Sequence, residues 1–262
     1  MSGAYDMEPL MEGKEFDLVD CRDIEGKDFI CSEDAHKELS SRMRAYSPEG
    51  IHFLDSGNYH YLTKLWTDGL TVPFSLILID HHTDIRHEAF NGVLTCGNWV
   101  RVMLDSNPRL RKVVIIGPTE SQRNTIDDSY LSRVRFISEE SLLTEDGWKA
   151  FSWENMKEPV YISIDKDILG QGGAITDWDQ GNLSLDDLER MLDIIFENEK
   201  VIGMDICGEY SGAYDLVKAQ KAGLLNEKTN EEILEEVARD TFILKEDTSM
   251  PPAGDGVSPS GR

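Results

Sequence analysis

The sequence predicts an α/β fold built on a mainly parallel sheet, and three observations carry that expectation. Short apolar runs recur along the chain, several of them end on an acid, and segments of helical period lie between them. The runs are FDLVD (16–20), IHFLD (51–55), FSLILID (74–80), VYISID (160–165) and VIGMD (201–205), with KVVIIG (112–117) ending on glycine instead. Their length, β-branched content and lack of clean alternation suit strands covered on both faces. Between them, residues 34–46 read as a helix capped by Ser32, and 99–106 as one halted before Pro108. Residues 185–198 follow Ser184, and Asp187 three positions on makes a partial capping box. Residues 230–239 are strongly acidic and amphipathic. No internal repeat is evident. The 262 residues suit a single catalytic domain over 1–244, and the Pro-, Gly- and Ser-rich stretch 245–262 reads as a disordered tail.

Composition then removes several function classes. The chain carries 26 Lys+Arg against 50 Asp+Glu, a formal net charge of -24. Recognition of nucleic-acid phosphates, or of anionic lipid, needs a basic surface that this balance does not supply. The longest apolar run, residues 74–79, falls far short of the roughly 20 residues a bilayer span requires. The first residues show neither a basic stretch nor an apolar one of signal-peptide type, and the four cysteines form no CxxC pair. The expectation is a cytoplasmic protein with reduced cysteines.

In an open parallel sheet, ligands bind beyond the carboxyl ends of the strands, so acids at strand ends are the place to look. Asp80, His82 and Asp84 are spaced i, i+2, i+4, which places them on one side of an extended chain. Asp165 and Asp167 repeat that spacing after VYISI, and His60 lies in GNYH just beyond IHFLD. Ligand-type side chains gathered at the end of a buried strand are costly without a positive partner. Two histidines and four carboxylates suit Mn²⁺, Fe²⁺, Co²⁺ or Zn²⁺ better than Ca²⁺. Six ligands exceed one tetrahedral site. Shared aspartates would let them hold two ions about 3.5–4 Å apart around a water made nucleophilic at neutral pH.

At these residues the chain resembles the arginase/agmatinase (ureohydrolase) superfamily, over residues 50–210, as a divergent arginase-like branch. That resemblance implies a three-layer α/β/α fold, shared with the histone-deacetylase-type deacetylases, two Mn²⁺ ions, and an oligomer. His60 stands at the histidine of the family's GGDHS motif, Asp80, His82 and Asp84 match DAHxD, and Asp165 and Asp167 match SxDxD. By that correspondence one metal takes His60, Asp80, Asp84 and Asp165, the other Asp80, His82, Asp165 and Asp167, with Asp80 and Asp165 bridging. The implied reaction is hydrolysis of a guanidino, amidino or formimino C–N bond by a metal-bridging hydroxide. A mononuclear zinc deacetylase and an inactive metal-binding protein are the alternatives.

The sequence departs from the family where substrate is chosen. GNYHY replaces GGDHS, CGNWV has no histidine after its GN, and the family's late glutamate falls in register on Gly208, one residue before Glu209. For proton transfer Asp84 and His87 are the candidates, His87 having a solvated loop histidine as its plain alternative, and His81 pointing to the opposite face. Glu209 is a candidate general base or grip for a cationic substrate, against a plain hydrogen bond to a loop. Asn98, Trp178 and Asp179 are candidate substrate contacts near the mouth, with Trp178 stacking on a planar cation. Lys166 should turn away to meet an acid behind the sheet. Cys96 and Cys207 read as buried structural thiols. A small cationic substrate fits acid-lined surroundings.

Overall fold

The computed structural model describes residues 1–8, 16–87, 92–152, 156–212 and 215–247. Its strands in chain order are β1 (Ile30–Cys31), β2 (Ile51–Phe53), β3 (Phe74–Ile79), β4 (Leu94–Thr95), β5 (Leu110–Ile116), β6 (Val134–Ile137), β7 (Val160–Asp165) and β8 (Val201–Cys207). Six of them form one sheet in the order β2-β8-β7-β3-β5-β6, and every pairing in it is parallel. The other two pair as a small antiparallel ribbon.

Alternation along each strand distributes side chains to two apolar layers. From β3, Leu76 and Leu78 enter one layer, while Ile77 and Ile79 enter the other. The first layer is closed by α1 (Glu33–Met43), α2 (Leu62–Thr67) and α3 (Trp99–Ser106), through residues such as Leu39, Leu65 and Met103. The second is closed by α4 (Glu139–Leu142), α5 (Glu145–Ser152), α6 (Leu185–Asn198) and α7 (Leu216–Asp247), through Leu142, Phe151, Met191, Ile195 and Ile233. The result is the expected three-layer α/β/α arrangement. All six residues of β3 are buried, each large one contributing about 1.5–3 kcal/mol. Truncating Leu78 to alanine would remove about 2–5 kcal/mol.

The helix starts follow their capping residues. Ser32 accepts from Ala35 N–H, and Ser184 and Asp187 complete a reciprocal capping box. The acidic segment 230–239 proves to be the interior of α7, which runs to Asp247; residues 248–262 of the expected tail lie outside the described residues. One expected strand is absent among the described residues and one unexpected strand is present. FDLVD (16–20) is not a strand: Leu18 is 79% exposed, and Asp20 instead bonds the backbone and side chain of Arg22. The edge strand β6, VRFI, was not anticipated, because four residues interrupted by Arg135 carry too little pattern. No helix among the described residues is long and apolar enough to cross a membrane.

Register aligns the functional residues. Ile79 of β3 pairs with Ile164 of β7, so Asp80 and Asp165 stand side by side at the carboxyl edge. On the far side of β7, Asp165 pairs with Cys207 of β8.

Candidate metal centre

His60 is delivered by a short 3₁₀ turn, Gly57–Tyr59, that begins on Ser56, whose hydroxyl accepts from Asn58 N–H. Glycine is required at 57, since a Cβ there would stand 2.9 Å from Asp165 Oδ2 and 3.0 Å from the Trp178 ring. The Asp80–Asp84 segment leaves β3 and turns back through Asp84, a non-glycine residue at φ 47. Two contacts anchor that turn: Asp84 carbonyl accepts from Val100 N–H at the start of α3, and Trp99 Nε1–H donates to Asp84 Oδ2 at 2.5 Å.

Two clusters of donor atoms result, and Asp80 belongs to both. Its Oδ2 lies 3.2 Å from His60 Nδ1, which is also 3.1 Å from Asp84 Oδ2 and 3.6 Å from Asp165 Oδ2. Its Oδ1 lies 3.5 Å from His82 Nδ1, which is 2.8 Å from Asp167 Oδ2. His60, Asp80 and Asp84 form one compact donor group, and Asp80, His82 and Asp167 another. The back of His60 is held as well. Its Nε2 meets Ser163 Oγ at 2.9 Å, and that hydroxyl donates to Asp205 Oδ1 at 2.6 Å. This relay directs Nδ1 toward the carboxylates, the orientation a metal ligand needs.

The electrostatics show what the cluster lacks. Burial raises the carboxyls of Asp84 and Asp165, and the charge of Asp80 raises them further. Asp167 goes well above the ordinary range through burial and its neighbours Asp165 and Asp80. Burial would raise Asp80 also, but hydrogen bonds from His60 and His82 more than reverse it. Burial disfavours charge on both histidines, yet Cys207, Asp80 and Asp84 drive His60 well above its usual value. Asp167 and Asp80 push His82 up to about 12. Four buried carboxylates face two imidazoles and no lysine or arginine within the cluster. Such a set is satisfied by retaining protons or by cations. The donors could hold two divalent ions, one among His60, Asp80 and Asp84 with Asp165 beside His60, and one among Asp80, His82 and Asp167.

The clusters floor a cavity of about 260 Å³. Phe29, Ile30, Val93, Cys96 and Trp178 give it apolar walls, and Arg86 and His87 lie at its rim. Trp178 stacks on Phe29 at 5.6 Å between ring centroids, and Phe29 holds a strained φ of 61. Other residues singled out in the sequence fall in varied places. His87 lines the cavity at its rim, 67% exposed beside Asp127 and Arg101. Asn98 lines the cavity, but its amide is engaged by Thr95 N–H and the Val93 carbonyl, which makes it a turn-former. Asp179 is exposed and meets His82 Nε2 at 3.3 Å, so it backs a ligand and does not touch the cavity space. Trp178 is a wall residue, as expected, though its face is covered by Phe29.

Glu209 requires a correction. It is buried outside the cavity, paired with Lys166 Nζ and accepting from Asn226 and Asn230. Gly208, at φ 96, admits no side chain, because a Cβ there would stand 2.5 Å from Asp165 Oδ1. Among the described residues the carboxylates that line the cavity are Asp80, Asp84, Asp165 and Asp167. Lys166 behaves as expected, turned to an acid behind the sheet. His81 is packed away from the cluster, with its buried Nδ1 unpartnered. Cys207 is buried, as expected of a structural thiol, and its Sγ lies 3.1 Å from Asp165 Oδ2, inside the cluster. A single cysteine after a strand carries no spacing signal, and only the β7–β8 register reveals its place.

The result is a paired donor cluster, a candidate metal centre, at the carboxyl edge of a parallel three-layer α/β/α sheet. The chain belongs to the arginase family, whose model matches residues 2–230. It is 33% identical over 208 residues to an uncharacterised protein of Thermotoga maritima, covering 79% of this chain and 77% of that one. Among solved structures it is similar to the formimidoylglutamase of Bacillus subtilis (TM-score 0.61, 18% identity, 79% of this chain and 67% of that one). A Trypanosoma cruzi formiminoglutamase variant with Mn²⁺ gives 0.59, 15%, 79% and 72% in the same terms. The proclavaminate amidino hydrolase of Streptomyces clavuligerus gives 0.57, 19%, 79% and 70%. At such identities these likenesses establish the fold.

Proposed function

We propose that this chain is a two-metal hydrolase that cleaves a C–N bond of a small formimino, amidino or guanidino compound. One observation carries the reading: Asp80 divides its carboxylate between His60 and His82, the arrangement of a shared ligand between two ions. Family membership and the named hydrolytic activities of its structural neighbours support it. Mn²⁺ is the ion that the Trypanosoma cruzi enzyme carries, and Fe²⁺, Co²⁺ and Zn²⁺ suit the same donors. When bound, such ions supply a water of lowered pKa and positive charge for the developing anion.

The chain's own groups do the rest. Ser163 and Asp205 hold His60 in position, and Trp99 fixes Asp84 through Oδ2, leaving Asp84 Oδ1 for proton transfer to the leaving nitrogen. Phe29, Trp178 and Val93 exclude water from an apolar slot. Arg86 meets that slot at its rim with no carboxylate partner among the described residues, so its guanidinium is available to an anionic group. The proposed substrate is accordingly a small molecule with a formimino or amidino head and a carboxylate at the other end; a small cationic substrate, which the acid-lined surroundings also suit, is the alternative. Four buried cysteines without a disulfide suit a reducing, cytoplasmic setting.

Metal content per chain, on protein purified without chelator or histidine tag, tests the centre. We expect close to two ions, lost in Asp80→Ala/Asp165→Ala. Release of ammonia, formamide or urea from carboxylate-bearing and amine-bearing compounds then tests the substrate. Arg86→Gln should raise KM for the former by about 10–100-fold. Metal that survives the double substitution overturns the reading.

A further inference from the structure

Cys207 ends β8 directly opposite Asp165 of β7 and is fully buried. Its Sγ is 3.1 Å from Asp165 Oδ2, and donor atoms of His60, Asp165 and Cys207 all lie within 4.8 Å of one another. The backbone beside it is fixed. The chain turns immediately after it through Gly208 at φ 96, and the N–H groups of Gly208 and Glu209 both donate to the Asp55 carbonyl, at 3.0 and 3.1 Å.

We infer that Cys207 Sγ is a further donor to the ion held by His60 and Asp165. This rests on the two-metal reading above and deepens it by making the two subsites chemically unequal. Around His60 the donors are nitrogen, oxygen and sulfur. Around His82 they are nitrogen and oxygen alone, from Asp80, His82 and Asp167. Sulfur donors favour Zn²⁺, Co²⁺ and Fe²⁺ over Mn²⁺, whereas carboxylates accept Mn²⁺ readily. The first subsite therefore selects a thiophilic ion and the second does not, so that the resting centre is a mixed pair. Binding forms the sulfur–metal bond, breaks the S–H bond and releases that proton to solvent, with no change of oxidation state.

Cobalt reports the difference directly. Metal-free protein titrated with Co²⁺ should bind two ions and develop a near-ultraviolet sulfur-to-cobalt charge-transfer band. Cys207→Ser should still bind cobalt but lose that band. Cys96→Ser, at the cavity wall, should keep it. In competition, the preference of the parent for one Zn²⁺ over Mn²⁺ should fall more than about tenfold in Cys207→Ser. Circular dichroism matching the parent shows that each variant is folded, and any loss is then local. Two bound cobalt ions without the band, or a band that survives Cys207→Ser, overturns the inference while the metal centre stands; Cys207 would then be an S–H donor to Asp165. No bound cobalt overturns both.

Discussion

Two buried acid clusters lie on either side of the Asp165–Asp167 turn, and they are built on opposite principles. The one in front of the sheet gathers Asp80, Asp84, Asp165 and Asp167 around two imidazoles and, among the described residues, holds no lysine or arginine. The one behind gathers Glu209, Glu8, Asn226 and Asn230 around Lys166, which is completely buried. A buried acid cluster that brings its own ammonium is closed and serves the fold. One that does not is an opening for ions from outside. The Lys166 side chain, lying between two ligands in sequence, is what joins the two.

Breaking the closed cluster should have the largest effect on stability. Lys166→Met leaves Glu209 buried without its cation and should destabilise the protein by about 3–5 kcal/mol. That is a fall of about 6–20 °C in Tm for a chain of this size. Lys166→Met/Glu209→Leu should recover most of it, and a silent single variant would show that the two clusters do not differ as described. The open cluster should respond in metal affinity instead. Ser163→Ala removes the hydroxyl that orients His60 and should weaken metal binding about 10–100-fold, measured by competition with a chelating dye. An unchanged affinity would mean that Asp205 or Thr63 orients the ring unaided.

The smallest effect sharpens the contrast through pH. In the metal-free protein Asp84, Asp165 and Asp167 are raised by burial, and burial with the Glu209 charge pushes Glu8 up to about 9. His60 is raised as well, and His82 reaches about 12. Above the ordinary carboxylate range the folded chain thus binds more protons than the unfolded one, so its stability falls as pH rises. Asp80, held low, works the other way only in acid. Melting of metal-free protein should drop by several degrees between about pH 6 and about pH 9. Added metal should remove the part owed to the open cluster, because its ligands bind deprotonated, and leave the part owed to Glu8.

The clustering of acids and histidines at strand ends was legible in the sequence, but the extended geometry expected to align them is not what does so. Asp80 and Asp165 each accept from the backbone N–H two residues on, Asp84 turns at φ 47, and Lys166–Ile168 is a 3₁₀ turn, so these turns and the β3–β7 register bring the side chains together. Legibility stopped where neighbours came from distant segments. Cys207 joins the centre through strand register, and Glu209 leaves it because Lys166 and two asparagines of α7 claim its carboxylate. FDLVD had the composition of a strand, but its Asp20 closes a local turn on Arg22 and its Leu18 stays exposed, so composition alone did not make it one. Asn98 looked available as a polar residue near the site, yet its amide closes the turn that starts α3.

The backbone at Gly208 limits how this enzyme can change. The glutamate that the family places there cannot be restored by one codon's alteration, since the positive φ and the proximity of Asp165 leave no room for even the first carbon of a side chain. A lineage that places an acid at position 208 would first have to reshape the Cys207–Glu209 bend, and so disturb Lys166 behind it. That ordering puts a valley in front of any side chain at 208, and selection for one should stall until the bend itself is rebuilt.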